Sequence, residues 1–175
     1  MVTGSTRPVA VLVGPPGSGK TTVGLALARL LHADLHDTDA AVEAATGRTI
    51  PDIFIEDGEP AFRELERAEV ARSLTGATGV LALGGGAVMD PATRVLLVGH
   101  TVVFLDVGIA DASRRIGFDR SRPLLAVNPR ATWVALMKKR RPVYEGVATY
   151  RVDTAGRTPD EIAREIAGLL TGGPA

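Results

Sequence analysis

The residues Gly14-Pro15-Pro16-Gly17-Ser18-Gly19-Lys20-Thr21 match G-x-x-x-x-G-K-[ST] at every fixed position, a spacing suited to holding a polyphosphate. Glycines let the backbone wrap closely around a β-phosphate with its N–H groups turned inward, in conformations that a Cβ obstructs. Lys20 adds a point charge for the β- and γ-oxygens, and Thr21 offers a hydroxyl to Mg²⁺. A helix starting there aims its N-terminus at the anion. The apolar run Val9-Ala10-Val11-Leu12-Val13 leads into the motif and helical spacing follows it, which separates a nucleotide site from an ordinary Gly-rich turn. Nucleotide binding follows from the motif alone, but kinase, NTPase and switch remain open.

A second acid commonly holds the metal with the threonine, at the end of an apolar strand. Val102-Val103-Phe104-Leu105-Asp106 fits that pattern better than Ala33-Asp34-Leu35-His36-Asp37, so pattern alone favours Asp106. Against it stands Asp37-Thr38-Asp39, two carboxylates that an extended segment projects to one side and that could serve metal and substrate together. The structural alternative is a capping role for Asp39.

Several arginines are hard to place on a surface. Trp133, Leu136, Met137 and Tyr144 fall on one helical face, and Arg140 lies within that stripe, whereas Lys138 and Lys139 project into solvent. An inward guanidinium must be paired or must meet an anion. Arg63 has Glu66 three residues on and, taken alone, reads as a routine surface pair. Arg114, Arg115, Arg120 and Arg122 lie in or beside a Gly- and Pro-containing stretch that can supply cations to close on a γ-phosphate. Val80-Leu81-Ala82-Leu83 runs into Gly84-Gly85-Gly86, and glycines at the carboxyl end of a parallel strand permit close approach of a ligand.

The elements that must position these groups alternate. Short apolar runs at 9–13, 34–37, 79–83, 101–106 and 150–152 predict five strands. Helical spacing appears at 19–31, 39–45, 59–74, 91–98, 110–116 and 129–144. A last helix opens at Thr158-Pro159-Asp160-Glu161 with the residues of a capping box. The pattern is that of βαβ units on a parallel sheet, an α/β fold, in one domain over 1–175. Residues 117–130 lack a period and read as a long loop.

Composition narrows the partners. Twenty Lys+Arg balance twenty Asp+Glu, and aromatics make up 4% of the 175 residues, which argues against nucleic acid or an anionic membrane as a partner. The absence of cysteine removes disulfides and thiolate chemistry. Residues 1–8 are polar and the apolar run behind them is too short for a span, so a cytoplasmic protein is expected, and with no surplus apolar helix, a monomer.

Taken together, the chain from Val9 to about Leu170 resembles the shikimate kinases of the nucleoside-monophosphate-kinase-like P-loop group. The resemblance rests on Gly14 to Thr21, Asp37-Thr38-Asp39, Asp57-Gly58-Glu59 with Phe62-Arg63 and Glu66, Gly84-Gly85-Gly86, Arg122-Pro123-Leu124-Leu125, and Lys139-Arg140-Arg141-Pro142-Val143-Tyr144. It implies transfer of the ATP γ-phosphate to shikimate, giving shikimate 3-phosphate and ADP on the route to chorismate and the aromatic amino acids. It also implies a five-stranded parallel sheet of order 2-3-1-4-5 between helices, a lid at about 117–130 and a substrate-binding helical segment at about 39–75.

Residue roles follow from the same resemblance. Gly17, Ser18, Gly19, Lys20, Thr21 and Thr22 would bind the nucleotide, with Arg115, Arg157 and Pro159 around the adenine. Thr21 and Asp37 would serve Mg²⁺, and Asp106 becomes a decoy. Asp39 would bind and deprotonate the acceptor hydroxyl. Arg63 and Arg140 would clamp the substrate carboxylate beside Gly84, Gly85 and Gly86, with Arg141 as a competing neighbour. Lys20 and Arg122 would share the charge of the transferring phosphate. The rivals are a gluconate or nucleotide kinase on the same fold, and a non-catalytic nucleotide-binding regulator.

Overall fold

The computed structural model describes residues 6–116 and 128–172. Five strands, β1 (Ala10–Val13), β2 (Leu35–Asp37), β3 (Val80–Ala82), β4 (Val102–Asp106) and β5 (Tyr150–Asp153), form one sheet in the order β2-β3-β1-β4-β5. Every pairing is parallel, with Val11 opposite Leu81 on one side and Val102 on the other. The expected order is therefore the observed one.

Because strand side chains alternate, β1 feeds two cores. Ala10 and Leu12 join Val23, Leu27, Val103, Val152, Ile162 and Ile166 under α1 (Lys20–Leu30) and α8 (Pro159–Gly172). Val11 and Val13 join Val70, Leu74, Leu81, Phe104, Trp133, Met137 and Tyr144 on the opposite face. There the covering helices are α4 (Glu59–Gly76), α5 (Pro91–Leu97) and α7 (Pro129–Val147). A third cluster, Val42, Ile53 and Phe62, ties α2 (Thr38–Thr46) and α3 (Ile50–Glu56) to α4 beside the sheet. The remaining helix, α6 (Ile109–Ile116), follows β4.

Helix α3 was not expected from periodicity, yet its start is written locally. Thr49 accepts a hydrogen bond from the Asp52 backbone N–H and Pro51 occupies the first turn, a capped helix start. The capping box of α8 forms as read, with Glu161 and Thr158 exchanging hydrogen bonds. Helix α7 continues through Pro142 to Val147, past the expected end at 144. With parallel strands, all functional loops leave the sheet at its carboxyl edge, where β1 separates β3 from β4.

Candidate active site

The loop after β1 carries its glycine in the left-handed region where expected, with φ 82° at Gly17. A Cβ there would also lie 2.9 Å from the Ala112 backbone, so the turn requires glycine on both counts. Ser18 is fully buried beneath the turn. Lys20 Nζ donates to the carbonyls of Gly14 (2.8 Å) and Pro15 (3.1 Å), which hold the ammonium over the loop at the start of α1. Thr21 and Thr22 sit in the first turn, and the Thr22 hydroxyl donates to the Gly19 carbonyl. Arg115 on α6 grips the same loop from outside, donating to the carbonyls of Gly17 and Ser18 and to Thr154. Arg157 is held by the Asp153 carbonyl and Glu165, next to the exposed Pro159.

Asp37 and Asp39 do not lie along one extended strand. Helix α2 starts at Thr38, so Asp37 ends β2 and is itself the cap, accepting from the backbone N–H groups of Asp39 and Ala40. Its other oxygen accepts from the Thr21 hydroxyl at 2.9 Å. Asp39 points from the first helical turn into the cleft. The two carboxylates still converge, by a strand-to-helix turn rather than by strand alternation. Thr38 is buried between them and takes the Gly84 backbone N–H, a link no periodicity signals.

Asp106 does not line the cleft that holds Thr21 and Asp37. It ends β4 and accepts from Arg141 (2.8 Å) and Arg151. Burial pushes its carboxyl up, but those two guanidiniums outweigh burial and hold it below the ordinary range. The same pairing settles where Arg141 goes: toward Asp106 and Glu145, over the Phe104 ring.

Arg140 points the other way, 6% exposed, and meets the Tyr144 hydroxyl. Arg63 is not a surface residue. Its side chain is 23% exposed and donates to Glu66 at 2.7 Å and to Glu59 at 3.3 Å. Both arginines line an open cleft of about 500 Å³ with Glu66, Gly86, Met89 and Leu136, and the exposed Lys139 stands at its rim. A neighbouring cleft of about 530 Å³ is lined by Gly19, Lys20, Thr21, Asp37, Asp39 and Gly85. The two meet at the glycine turn. A Cβ at Gly84 would fall 2.6 Å from Asp39 Oδ1 and 2.7 Å from Glu66 Oε2, and one at Gly86 would fall 2.6 Å from both terminal nitrogens of Arg63.

Glu66 was legible only as a partner for Arg63, yet it lies at the centre of the site. Burial raises its carboxyl pKa, against the opposing pull of Arg63 and Arg140. Asp39 is pushed up to about 6, first by burial, then by the nearby charges of Glu66 and Asp37, with Lys20 and Arg63 pulling back. Such a carboxylate ionises near neutrality and is a better proton acceptor than a solvated one.

The donors at the Lys20 cleft fit a magnesium ion. Thr21 and Asp37 supply hard oxygen donors, and the described residues hold no cluster of three or more acidic or histidine ligands. That suits an ion that keeps its waters and takes its remaining ligands from phosphates. Arg122 and residues 117–127 of the expected lid lie outside the described residues.

The family described as Shikimate kinase matches residues 16–171. A shikimate kinase of Salinispora arenicola is 61% identical over 93% of this chain and 98% of its own length. The structure of a shikimate kinase from Acinetobacter baumannii in complex with shikimate superposes with a TM-score of 0.91 at 36% identity, over 97% of this chain and 95% of that one. A gluconokinase from Sinorhizobium meliloti is more distant, with a TM-score of 0.59 at 21% identity over 93% and 91% of the two chains, and shares the fold alone.

Proposed function

This chain belongs to the shikimate kinase family, and from that premise we propose how its residues divide the transfer of the ATP γ-phosphate to the 3-hydroxyl of shikimate. The observation that carries the reading is the meeting of two clefts at Gly84–Gly86. One is cationic for phosphates through Lys20, the other cationic for a carboxylate through Arg63 and Arg140, with Asp39 at the junction.

ATP places its phosphates on the N–H groups of the Gly14–Thr21 loop and the Lys20 ammonium. The Arg115 guanidinium, held flat by the loop carbonyls and Thr154, offers a face to the adenine with Arg157 and Pro159. Shikimate lays its carboxylate on Arg63 and Arg140 and its 3-hydroxyl on Asp39, which accepts the hydroxyl proton as the oxygen attacks. Glu66 keeps Arg63 turned toward the ring. When bound, Mg²⁺ supplies charge neutralisation on the nucleotide oxygens. Thr21 and Asp37 would hold it, the latter through water. The resemblance gives Arg122 the equatorial oxygens of the transferring phosphate, and phosphoryl transfer of this kind rests on positioning and charge.

The setting we propose is a cytoplasmic monomer; no helix among the described residues is long and apolar enough to cross a membrane. The test is ADP release on adding shikimate to protein, Mg²⁺ and ATP, with gluconate and nucleoside monophosphates as rival acceptors. Shikimate left unmodified, or a faster rival, overturns the reading.

A further inference from the structure

Helix α7 holds both sides of the site at once. The buried Trp133 donates its indole N–H to the Pro16 carbonyl at 2.8 Å. Eleven residues on, about three turns and so on the same stripe, the buried Tyr144 donates its hydroxyl to the Gly85 carbonyl and stacks on Phe104. Arg140 lies between them on that stripe and meets Tyr144. The two gripped segments touch: a Cβ at Gly85 would lie 3.4 Å from Pro16 and 3.5 Å from the Arg140 guanidinium.

The grip on the nucleotide loop has a chemical reason to sit where it does. Pro15 and Pro16 have no N–H, so that lip can be held by its carbonyls and not by its own donors. The Pro15 carbonyl takes Ser18 and Lys20, and the Pro16 carbonyl takes Trp133. Beyond the strand ends, the backbone hydrogen bonds of the lip and the glycine turn are local turn bonds, Ser18 to Pro15, Ala87 to Gly84 and Met89 to Gly86. Helix α7 adds a side-chain hold on each, beside the local turn bonds and the Thr38 link to Gly84, and it also carries an arginine assigned above to the shikimate carboxylate.

We propose that Trp133 and Tyr144 are positioning residues that set the spacing between the nucleotide cradle and the acceptor clamp, so that occupancy of one is felt at the other through α7. This rests on the assignment of the two clefts made above. Trp133 is the chain's single tryptophan, so its N–H can be removed cleanly, by Trp133→Phe or by replacing it with benzothienylalanine, which keeps the bicyclic shape and has sulfur in place of N–H.

The experiment measures shikimate affinity with and without MgADP, together with kcat and KM, for wild type, both Trp133 variants and Tyr144→Phe, with thermal unfolding alongside. In the Trp133 variants shikimate affinity without nucleotide stays within about twofold of wild type. The factor by which MgADP tightens shikimate shrinks about fivefold, the equivalent of one neutral hydrogen bond. The turnover number falls, and by reciprocity nucleotide binding to the shikimate complex weakens about fivefold relative to binding to the free protein, seen as a raised KM for ATP at saturating shikimate. In Tyr144→Phe the loss appears instead in shikimate affinity of the free protein, about fivefold, because Arg140 loses its partner. A lowered Tm with coupling and turnover unchanged in the benzothienylalanine protein overturns the proposal and leaves Trp133 a packing residue. So does a wild type in which MgADP leaves shikimate affinity untouched. Failure of wild type to bind either ligand would instead refute the cleft assignments themselves.

Discussion

Asp39→Asn should make the ligand-free protein more stable at neutral pH while abolishing its turnover. The native carboxyl holds its proton up to about pH 6 because it is buried beside Glu66 and Asp37, against an ordinary value of 3.8. The native state is thus the better proton binder between roughly pH 4 and pH 6, and stability declines as pH rises through that window. Above the folded pKa the decline is complete, and the gap corresponds to roughly 3 kcal/mol of ionisation cost carried by the empty site. Asparagine carries no such charge. For a chain of this size about 1–3 kcal/mol converts to a rise in Tm of roughly 3–10 °C. The assay is Tm of both proteins at pH 4, 6 and 8, beside turnover at pH 8. Groups away from the site titrate alike in both proteins, so the difference reports Asp39 together with its coupling to Glu66 and Asp37: small at pH 4, growing through pH 6, full at pH 8. Wild-type turnover should fall below about pH 6 as Asp39 takes a proton. A variant less stable than wild type at pH 8, or a difference that ignores pH, refutes the argument that Asp39 is an unfavourably buried charge kept for catalysis.

Further outcomes follow from named contacts. Lys20→Met should leave Tm near wild type and reduce turnover by more than about 100-fold in an ADP-release assay, because a charge on the transferring phosphate is worth several kcal/mol in the transition state. Gly86→Ala places a Cβ within 2.6 Å of the Arg63 guanidinium, so KM for shikimate should rise about tenfold or more while KM for ATP stays within about twofold. Arg141→Ala removes one of two partners of the buried Asp106. It should lower stability by about 1–3 kcal/mol and leave shikimate affinity intact, whereas Arg140→Ala should lose shikimate binding in a titration with MgADP present.

What the sequence shows of this site divides by distance along the chain. The nucleotide loop is legible because every group it needs lies within eight residues, and its glycine conformations are local. The strand order was available through the family resemblance, and the capping box of α8 from four residues. Taken alone, Arg63 reads as surface because an i,i+3 pair with Glu66 looks alike on any helix, and only the family resemblance placed it in the site. What buries it is Gly86, twenty-three residues away, with no Cβ to push the guanidinium out. Asp37 and Asp39 were read as sharing one side of an extended segment, with the helix starting at 39, whereas it starts at Thr38. Asp37 caps that helix and also receives the Thr21 hydroxyl, and a one-residue shift in the boundary changes the geometry of the pair.

The residues that periodicity placed in an apolar stripe carry the larger lesson. Trp133 and Tyr144 satisfy the helical pattern as hydrophobes, yet each brings a single donor, and a buried donor must find an acceptor. Both find backbone carbonyls of loops remote in sequence, at Pro16 and Gly85. Arg140, on the same stripe, violates the pattern and so draws notice as a functional group. A stripe of aromatic donors around a misplaced cation therefore marks a helix that packs against working loops as well as core, because a helix facing core alone would be served better by leucine and phenylalanine, which leave no donor to satisfy.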